Sequence, residues 1–376
     1  MTGRHYTVQV WADPITAVWI GLVASTTIAH DMAWGIIGNH WAEALLKGHL
    51  QSGRLRHAYL LTGPQGVGKR TLALRFAQAL ECERHPGSGD PCDPAQEAAC
   101  RACRLIPQEN YPDLHLLQAD EEGSGIRVEQ VRELQHQLAL APFEGRWRIA
   151  LLPEFHRASH SAANALLKTL EEPPAQVLLL LTSPTAEALL ATIVSRCETL
   201  ALRPLALPEL AAALRERGLP AAQAELLAGI SGGRPGRALS LAATPDALER
   251  RKQQLHDLWE LLGETRSGRF DYVRRALDAP ELESRRQQAA ELLEAWLGVW
   301  RDAVLVSHQA QVPPGNPDQA RAVRQLAAWV GSEELRLGLQ RLDATLEAVE
   351  ANANLRLALE AFMLDLPFVP RAEEAG

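Results

Sequence analysis

The chain has 376 residues, enough for two or three domains with cores of their own. It is 47% hydrophobic and 22% charged, the balance of a globular protein, and the low aromatic share of 5% with abundant Leu and Ala disfavours an all-β fold. The net charge of −8, without any long Lys/Arg run, argues against a protein that grips nucleic acid over a broad basic face; a DNA contact is expected to be local or made through partners.

The stretch 15–29 (ITAVWIGLVASTTIA) is apolar but short for a membrane span. Only Arg4 stands upstream as a full positive charge, beside Asp13, and no small-residue cleavage site follows, so it is a poor signal peptide. A folding pattern begins at Met32, where an amphipathic helix leads into a strand. Residues 1–31 are therefore expected to be an N-terminal extension, and the chain is expected to be cytoplasmic.

Apolar runs bounded by turn residues predict strands at 57–62, 113–118, 147–152, 177–182 and 198–202. Between them lie helical stripes: Leu72, Phe76, Ala79 and Leu80; Val128, Val131 and Leu134; Leu166, Leu167 and Leu170. Alternating strands and helices imply a parallel sheet covered on both faces. Strand signals stop after Leu202. Residues 204–245 read as short helices broken by Pro208, Pro220 and GGRPG, and nearly everything beyond is helical, including one long pattern from Ser332 to Leu364. The expected fold class is α/β, in three parts: a nucleotide-binding module at 32–202, a helical lid at 203–245 and an all-helical bundle at 246–376.

The stretch GPQGVGKR (63–70) has the spacing of a phosphate-binding loop between a strand and a helix. Backbone N–H groups from Gly66 to Lys69 are placed to cradle phosphates at a helix N-terminus, with Gly63, Gly66 and Gly68 allowing the turn and Lys69 reaching the β- and γ-phosphates. Hydrolysis also needs Mg²⁺, held by a Ser/Thr hydroxyl after the lysine and by a carboxylate at the end of a neighbouring strand. Arg70 stands at the first position and Pro153, followed by Glu154, at the second; Thr71 is one residue late and a helical turn points it elsewhere. With two ligand positions lost, no Mg²⁺ site and little or no hydrolysis are expected, while ATP or ADP binding stays open.

Five cysteines are present, and Cys82, Cys92, Cys100 and Cys103 fall together with the spacing C-x9-C-x7-C-x2-C. An odd total with one tight cluster reads as intracellular metal binding rather than a disulfide framework. Four thiolates close a tetrahedral structural Zn²⁺ site, leaving no open position for catalysis; the alternative is a partial site among unrelated buried thiols. His85 is a spare donor in the loop. His156 and His160, spaced i, i+4, read as surface residues.

SAANALLKTLEEPP (161–174), TIVSRCETL (192–200), HAYLLTGPQGVGKR (57–70), GIRVEQVREL (125–134) and the cysteine loop together resemble the AAA+ clamp-loader ATPases of bacterial DNA replication over roughly residues 32–245. NANLRLALEAFMLDLP (352–367) resembles the end of their collar domain. The resemblance implies a AAA+ module, a lid and an oligomerising collar. It also implies a place beside gamma/tau- and delta-type subunits in a hetero-pentameric ring that loads the sliding clamp onto primer-template DNA, as a component of the replicative DNA polymerase holoenzyme. The degenerate ATP motifs fit the family's rigid, non-motor member, or stator. Arg196 in SRC is then an arginine finger, stabilising charge on a neighbour's transferring phosphoryl group; the plain alternative is an ion pair with a glutamate. Lys168, Glu171 and Glu172 are candidates for the subunit boundary, with a plain solvated face as the alternative for each, and Cys197 is a candidate for core filling. The family's usual spacing has its last three cysteines two residues apart; here the gap after Cys92 is longer. The alignment places Gly236 where active members carry a nucleotide-sensing arginine, with Arg237 one residue later, and assigns neither. Two other readings remain: an active ATPase motor subunit of the same machine, and a stand-alone zinc-containing DNA-binding or repair protein.

Overall fold

A computed structural model describes residues 34–96, 98–119, 125–244, 246–277, 282–351 and 353–369. The expected N-terminal extension at 1–31, with its apolar run, and the expected start of folding at Met32 lie outside the described residues. The chain divides into two compact units. The first is Met1–Gly218 with Arg234–Ala243, and the second is Leu219–Gly233 with Thr244–Gly376.

The first unit is built on one parallel sheet. Its strands are β1 (Ala58–Thr62), β2 (Leu114–Leu116), β3 (Arg148–Leu152), β4 (Val177–Ser183) and β5 (Glu198–Ala201), in the order β2-β3-β4-β1-β5. All five predicted strands form. Every pairing is parallel, with Leu60 opposite Leu181 on one side and Thr199 on the other. Side chains alternate across the strands and sort the core into two layers. Tyr59, Leu61, Ile149, Leu151, Leu178 and Leu180 face one layer, with Leu72 and Phe76. Ala58, Leu60, Leu152, Leu179 and Leu181 face the other, with Val131, Leu134, Leu166 and Leu170. The strands are therefore apolar on both faces, as a sheet covered on both sides requires.

The covering helices are α1 (His40–Ser52), α2 (Lys69–Glu81), α3 (Arg101–Leu105), α4 (Val128–Leu138), α5 (His160–Glu171) and α6 (Ala191–Val194). Helix α5 starts at Ser159, whose side chain accepts the N–H of Ala162 at 3.2 Å, and stops before Pro173–Pro174. Helices α7 (Leu207–Glu216), α8 (Ala221–Ile230) and α9 (Pro235–Ala243) follow; α7 and α9 belong to the first unit and α8 to the second. Their prolines start helices rather than break them: Pro208 is in the first turn of α7, Pro220 caps α8 and Pro235 opens α9. A missing N–H costs nothing in a first turn.

The second unit is helical, with α10 (Ala247–Leu262), α11 (Arg266–Ala276), α12 (Leu282–Ser307), α13 (Ala320–Trp329), α14 (Ser332–Glu350) and α15 (Leu355–Asp365). Trp296, Trp300, Leu342, Leu359 and Phe362 are buried in its core. The single long pattern expected from Ser332 to Leu364 is two helices. Asn354 accepts the N–H of Leu357 at 3.1 Å, and such a cap starts a new helix. Among the described residues, no helix is long and apolar enough to cross a membrane.

Candidate functional site

The phosphate loop joins β1 to α2, and its three glycines have positive φ: 136° at Gly63, 78° at Gly66 and 106° at Gly68. Gly63 is also sterically required, because a Cβ there would lie 2.4 Å from the Leu202 carbonyl oxygen. The sequence thus folds into the mould of a nucleotide site. Carbonyl oxygens of the loop are taken by the protein itself. The Lys69 ammonium donates to the carbonyl oxygens of Gly63 and, at 3.0 Å, Pro64. Burial lowers its pKa to about 8, partly offset by Glu154. The Gly66 carbonyl accepts the N–H of Gly236, in the first turn of α9, at 2.7 Å. A Cβ on Gly66 would lie 3.0 Å from Arg237, and Arg234 reaches the Gln65 carbonyl at 3.4 Å.

The two metal positions are occupied by groups of the wrong chemistry. Arg70 lies in a bidentate pair with Glu109, its Nε donating to Oε1 at 2.6 Å. Pro153 is buried after β3 and offers no carboxylate. Glu154 has φ 48°; its N–H donates to Thr182 Oγ1 at 2.9 Å and its carboxylate lies 3.5 Å from Arg157. His156 and His160 do not share a helix, as their spacing suggested. His156 is on a short 3-10 turn, Phe155–Arg157, and His160 opens α5. His156 is half-buried rather than a surface residue, with its Nδ1 buried and without a hydrogen-bond partner among the described residues.

Arg196 follows α6 and precedes β5. Its Nη2 donates to Glu171 Oε1 at 2.7 Å and its Nη1 to the Thr192 carbonyl at 2.9 Å. The guanidinium thus rests on an ion pair within its own chain, with the side chain 34% exposed. Cys197 behind it is a poor nucleophile, because burial pushes its thiol up to about 12.

The four clustered cysteines converge. Cys82 caps the C-terminus of α2, Cys100 the N-terminus of α3, and Cys103 lies within α3. All four are buried, and their sulfurs lie within 4.8 Å of one another. Cys82 and Cys92 Sγ are 3.5 Å apart. Tetrahedral Zn–S bonds of about 2.3 Å put sulfurs roughly 3.8 Å apart, so the donor set fits such an ion. The long gap after Cys92 does not open the cluster: turns take it up, with the Gln96 N–H donating to the Asp93 carbonyl at 3.2 Å and the Ala99 N–H to the Gln96 carbonyl at 2.9 Å. The segment before Cys92 is tied down as well. Trp34 Nε1 donates to the Gly89 carbonyl at 2.8 Å, Gln51 Nε2 to the Ser88 carbonyl at 2.7 Å, and Lys47 pairs with Asp90 at 2.8 Å. Burial would raise the Cys100 thiol, but hydrogen bonds from the backbone of Cys103 and Glu83 carry it below its ordinary value. His85 stays outside the group of four, its Nδ1 3.8 Å from Cys82 Sγ.

Sequence reasoning missed several groups at these sites. Glu109 was not singled out as the partner of Arg70, although an arginine after a phosphate loop invites a search for a carboxylate. Asp113 and Glu81 are buried carboxylates that accept backbone N–H groups of 143–147: Asp113 takes those of Phe143, Glu144 and Gly145, and Glu81 those of Arg146 and Trp147. Acidic residues flanking an apolar run gave the only signal for them.

The family described as "DNA polymerase III, delta subunit" matches residues 38–206. The DNA polymerase III subunit delta' of Pseudomonas aeruginosa is 32% identical over 345 residues, spanning 88% of this chain and 97% of that protein. The delta' subunit of Bacillus subtilis is 32% identical over 229 residues, spanning 61% of this chain and 66% of that protein. The tau/gamma subunit of Haemophilus influenzae is 39% identical over 162 residues, but the match spans only 22% of that protein. Similarity to a delta' subunit thus runs through the helical second unit, whereas similarity to tau/gamma covers 43% of this chain. On that ground the chain belongs to the DNA polymerase III delta-prime subunit family.

Proposed function

We propose that this chain is the non-motor subunit of a DNA polymerase III clamp loader. It joins gamma/tau- and delta-type subunits in a hetero-pentameric ring and helps place the sliding clamp on primer-template DNA in the cytoplasm. Residues 203–245 serve as its lid and 246–376 as the collar through which it oligomerises. The observation that carries the reading is the combination of an intact loop shape with two failed metal positions. Arg70 is neutralised by Glu109 and Pro153 has no carboxylate, so the chain keeps the fold of an ATPase without the means to hold Mg²⁺. The same two residues disfavour the motor-subunit reading.

Arg196 supplies chemistry to a neighbour. Released from Glu171, its planar guanidinium meets the charge that develops on a transferring phosphoryl group across a subunit boundary. The four cysteines hold one structural Zn²⁺, which closes the loop 82–103 and performs no catalysis.

Reconstitution with the partner subunits tests the proposal. The purified chain should elute in one complex with them. Arg196→Ala should preserve assembly while reducing the clamp- and DNA-stimulated ATPase several-fold; loss of a dedicated finger in a single-site enzyme is worth about 10³–10⁵, and a ring with several sites loses less. Failure to assemble would refute the subunit role. A wild-type ATPase rate in the Arg196→Ala complex would refute the finger alone.

A further inference from the structure

Around the cysteine cluster lies a charged and hydrogen-bonded layer that the ligand set does not account for. Gln78 is fully buried on α2, one turn before Cys82. Its Nε2 donates to the Cys103 carbonyl at 2.7 Å, and its Oε1 accepts from Arg75 Nη1 at 2.9 Å. The Cys103 thiol in turn lies 3.8 Å from the Gln78 carbonyl. Arg75, Gln78 and the Cys103 backbone carbonyl thus form a continuous hydrogen-bonded chain. Arg75 is held against the segment before α1, its Nη2 3.7 Å from where a Cβ on Gly35 would stand.

The charge balance gives this layer a purpose. Four thiolates around one divalent cation carry a net charge of −2, and all four are buried. The other charged groups nearby offer little compensation. Lys47 is already shared between Glu43 at 2.9 Å and Asp90 at 2.8 Å. Arg146, whose Nη2 reaches the Leu80 carbonyl and lies 3.5 Å from the Cys82 carbonyl, faces the Glu81 carboxylate. Arg75, by contrast, has Cys103 among the charges it faces, beside Asp93 and Glu43. A buried anionic centre without a counter-cation is costly. An arginine remains charged under these conditions, and through Gln78 it also fixes the carbonyl of one ligand residue.

We propose that Arg75 and Gln78 are positioning residues of the four-cysteine metal site: Arg75 offsets the negative charge of the tetrathiolate centre, and Gln78, held by Arg75, fixes the backbone of Cys103 through its carbonyl. This rests on the metal reading given above. It also gives α2 two uses: its first turn shapes the phosphate loop, and its last two turns build the outer layer of the metal site.

The test uses the full chain loaded with Zn²⁺ or Co²⁺, in wild type, Arg75→Met, Arg75→Lys and Gln78→Ala. Affinity is read by chelator competition and geometry by the Co²⁺–thiolate absorption bands. Thermal midpoints are taken with and without metal. Loss of an outer-layer partner typically weakens metal binding about 10–100-fold. Arg75→Met and Gln78→Ala should fall in that range, Arg75→Lys should recover part of the loss, and the destabilisation should be larger with metal than without. Should Arg75→Met fail to fold, Arg75→Lys and Gln78→Ala still decide. Wild-type affinity in Arg75→Met and Gln78→Ala, or an equal loss of stability with and without metal, overturns the inference and leaves the metal site standing. A wild-type chain that takes up neither metal overturns the metal reading itself.

Discussion

Gly66→Ala separates a loop kept for nucleotide from a loop kept for its own packing. Gly66 has φ 78°, and an L-residue in the left-handed region costs about 1–2 kcal/mol. Its new Cβ would also meet the Cβ and N of Arg237 at 3.0 Å. Relief of that contact would pull the Gly66 carbonyl from the Gly236 N–H, now at 2.7 Å, for a further loss of about 1 kcal/mol. The sum is about 2–3 kcal/mol with no ligand present. At roughly 2–4 °C per kcal/mol for a domain of this size, the first unit's melting transition should drop by about 5–10 °C. Gly68→Ala is the control: φ is 106° there too, but a Cβ at Gly68 has no neighbour within 4 Å. Scanning calorimetry of both variants without nucleotide measures the difference. If Gly66→Ala melts with the wild type, or no lower than Gly68→Ala, the loop's contact with α9 contributes nothing and the reasoning fails.

The isolated chain should show no meaningful ATP hydrolysis, and Arg70→Thr alone should not create it, since position 153 still lacks a carboxylate; a Lys69-dependent turnover in the wild type would contradict this. That variant should lose no more than about 1 kcal/mol of stability, because the Arg70–Glu109 pair is partly exposed. Elemental analysis of protein purified without chelator should find one zinc per chain, absent after Cys100→Ser with Cys103→Ser. Lys69 has a lowered folded pKa, about 8 against 10.5, so between those values the unfolded chain binds more protons and stability rises with pH. The wild type should therefore gain on Lys69→Met from about pH 7 to 10 in denaturant midpoints, and a constant difference between the two would rule the buried ammonium out as the cause.

By itself the sequence determined most of the elements and the residue types at the loop. The five strands and the helical stripes were legible because apolar periodicity is a local property: Leu60 and Leu61 declare two opposite faces whatever the rest of the chain does. The glycine spacing fixed the loop's shape, and Arg70 and Pro153 could be read directly as residues that offer no oxygen ligand. The cysteine cluster was legible too, since its four members lie within one short loop. Only the tertiary structure decided the partners. Arg70 meets Glu109 across 39 residues and Arg196 meets Glu171 across 25. The Gly66 carbonyl finds its donor in a helix beyond all five strands, and Gln78 reaches the Cys103 carbonyl only because α2 and α3 pack together. Such pairings have no period to read. They depend on which elements the sheet brings side by side, and a buried donor or charge takes whichever partner that packing supplies.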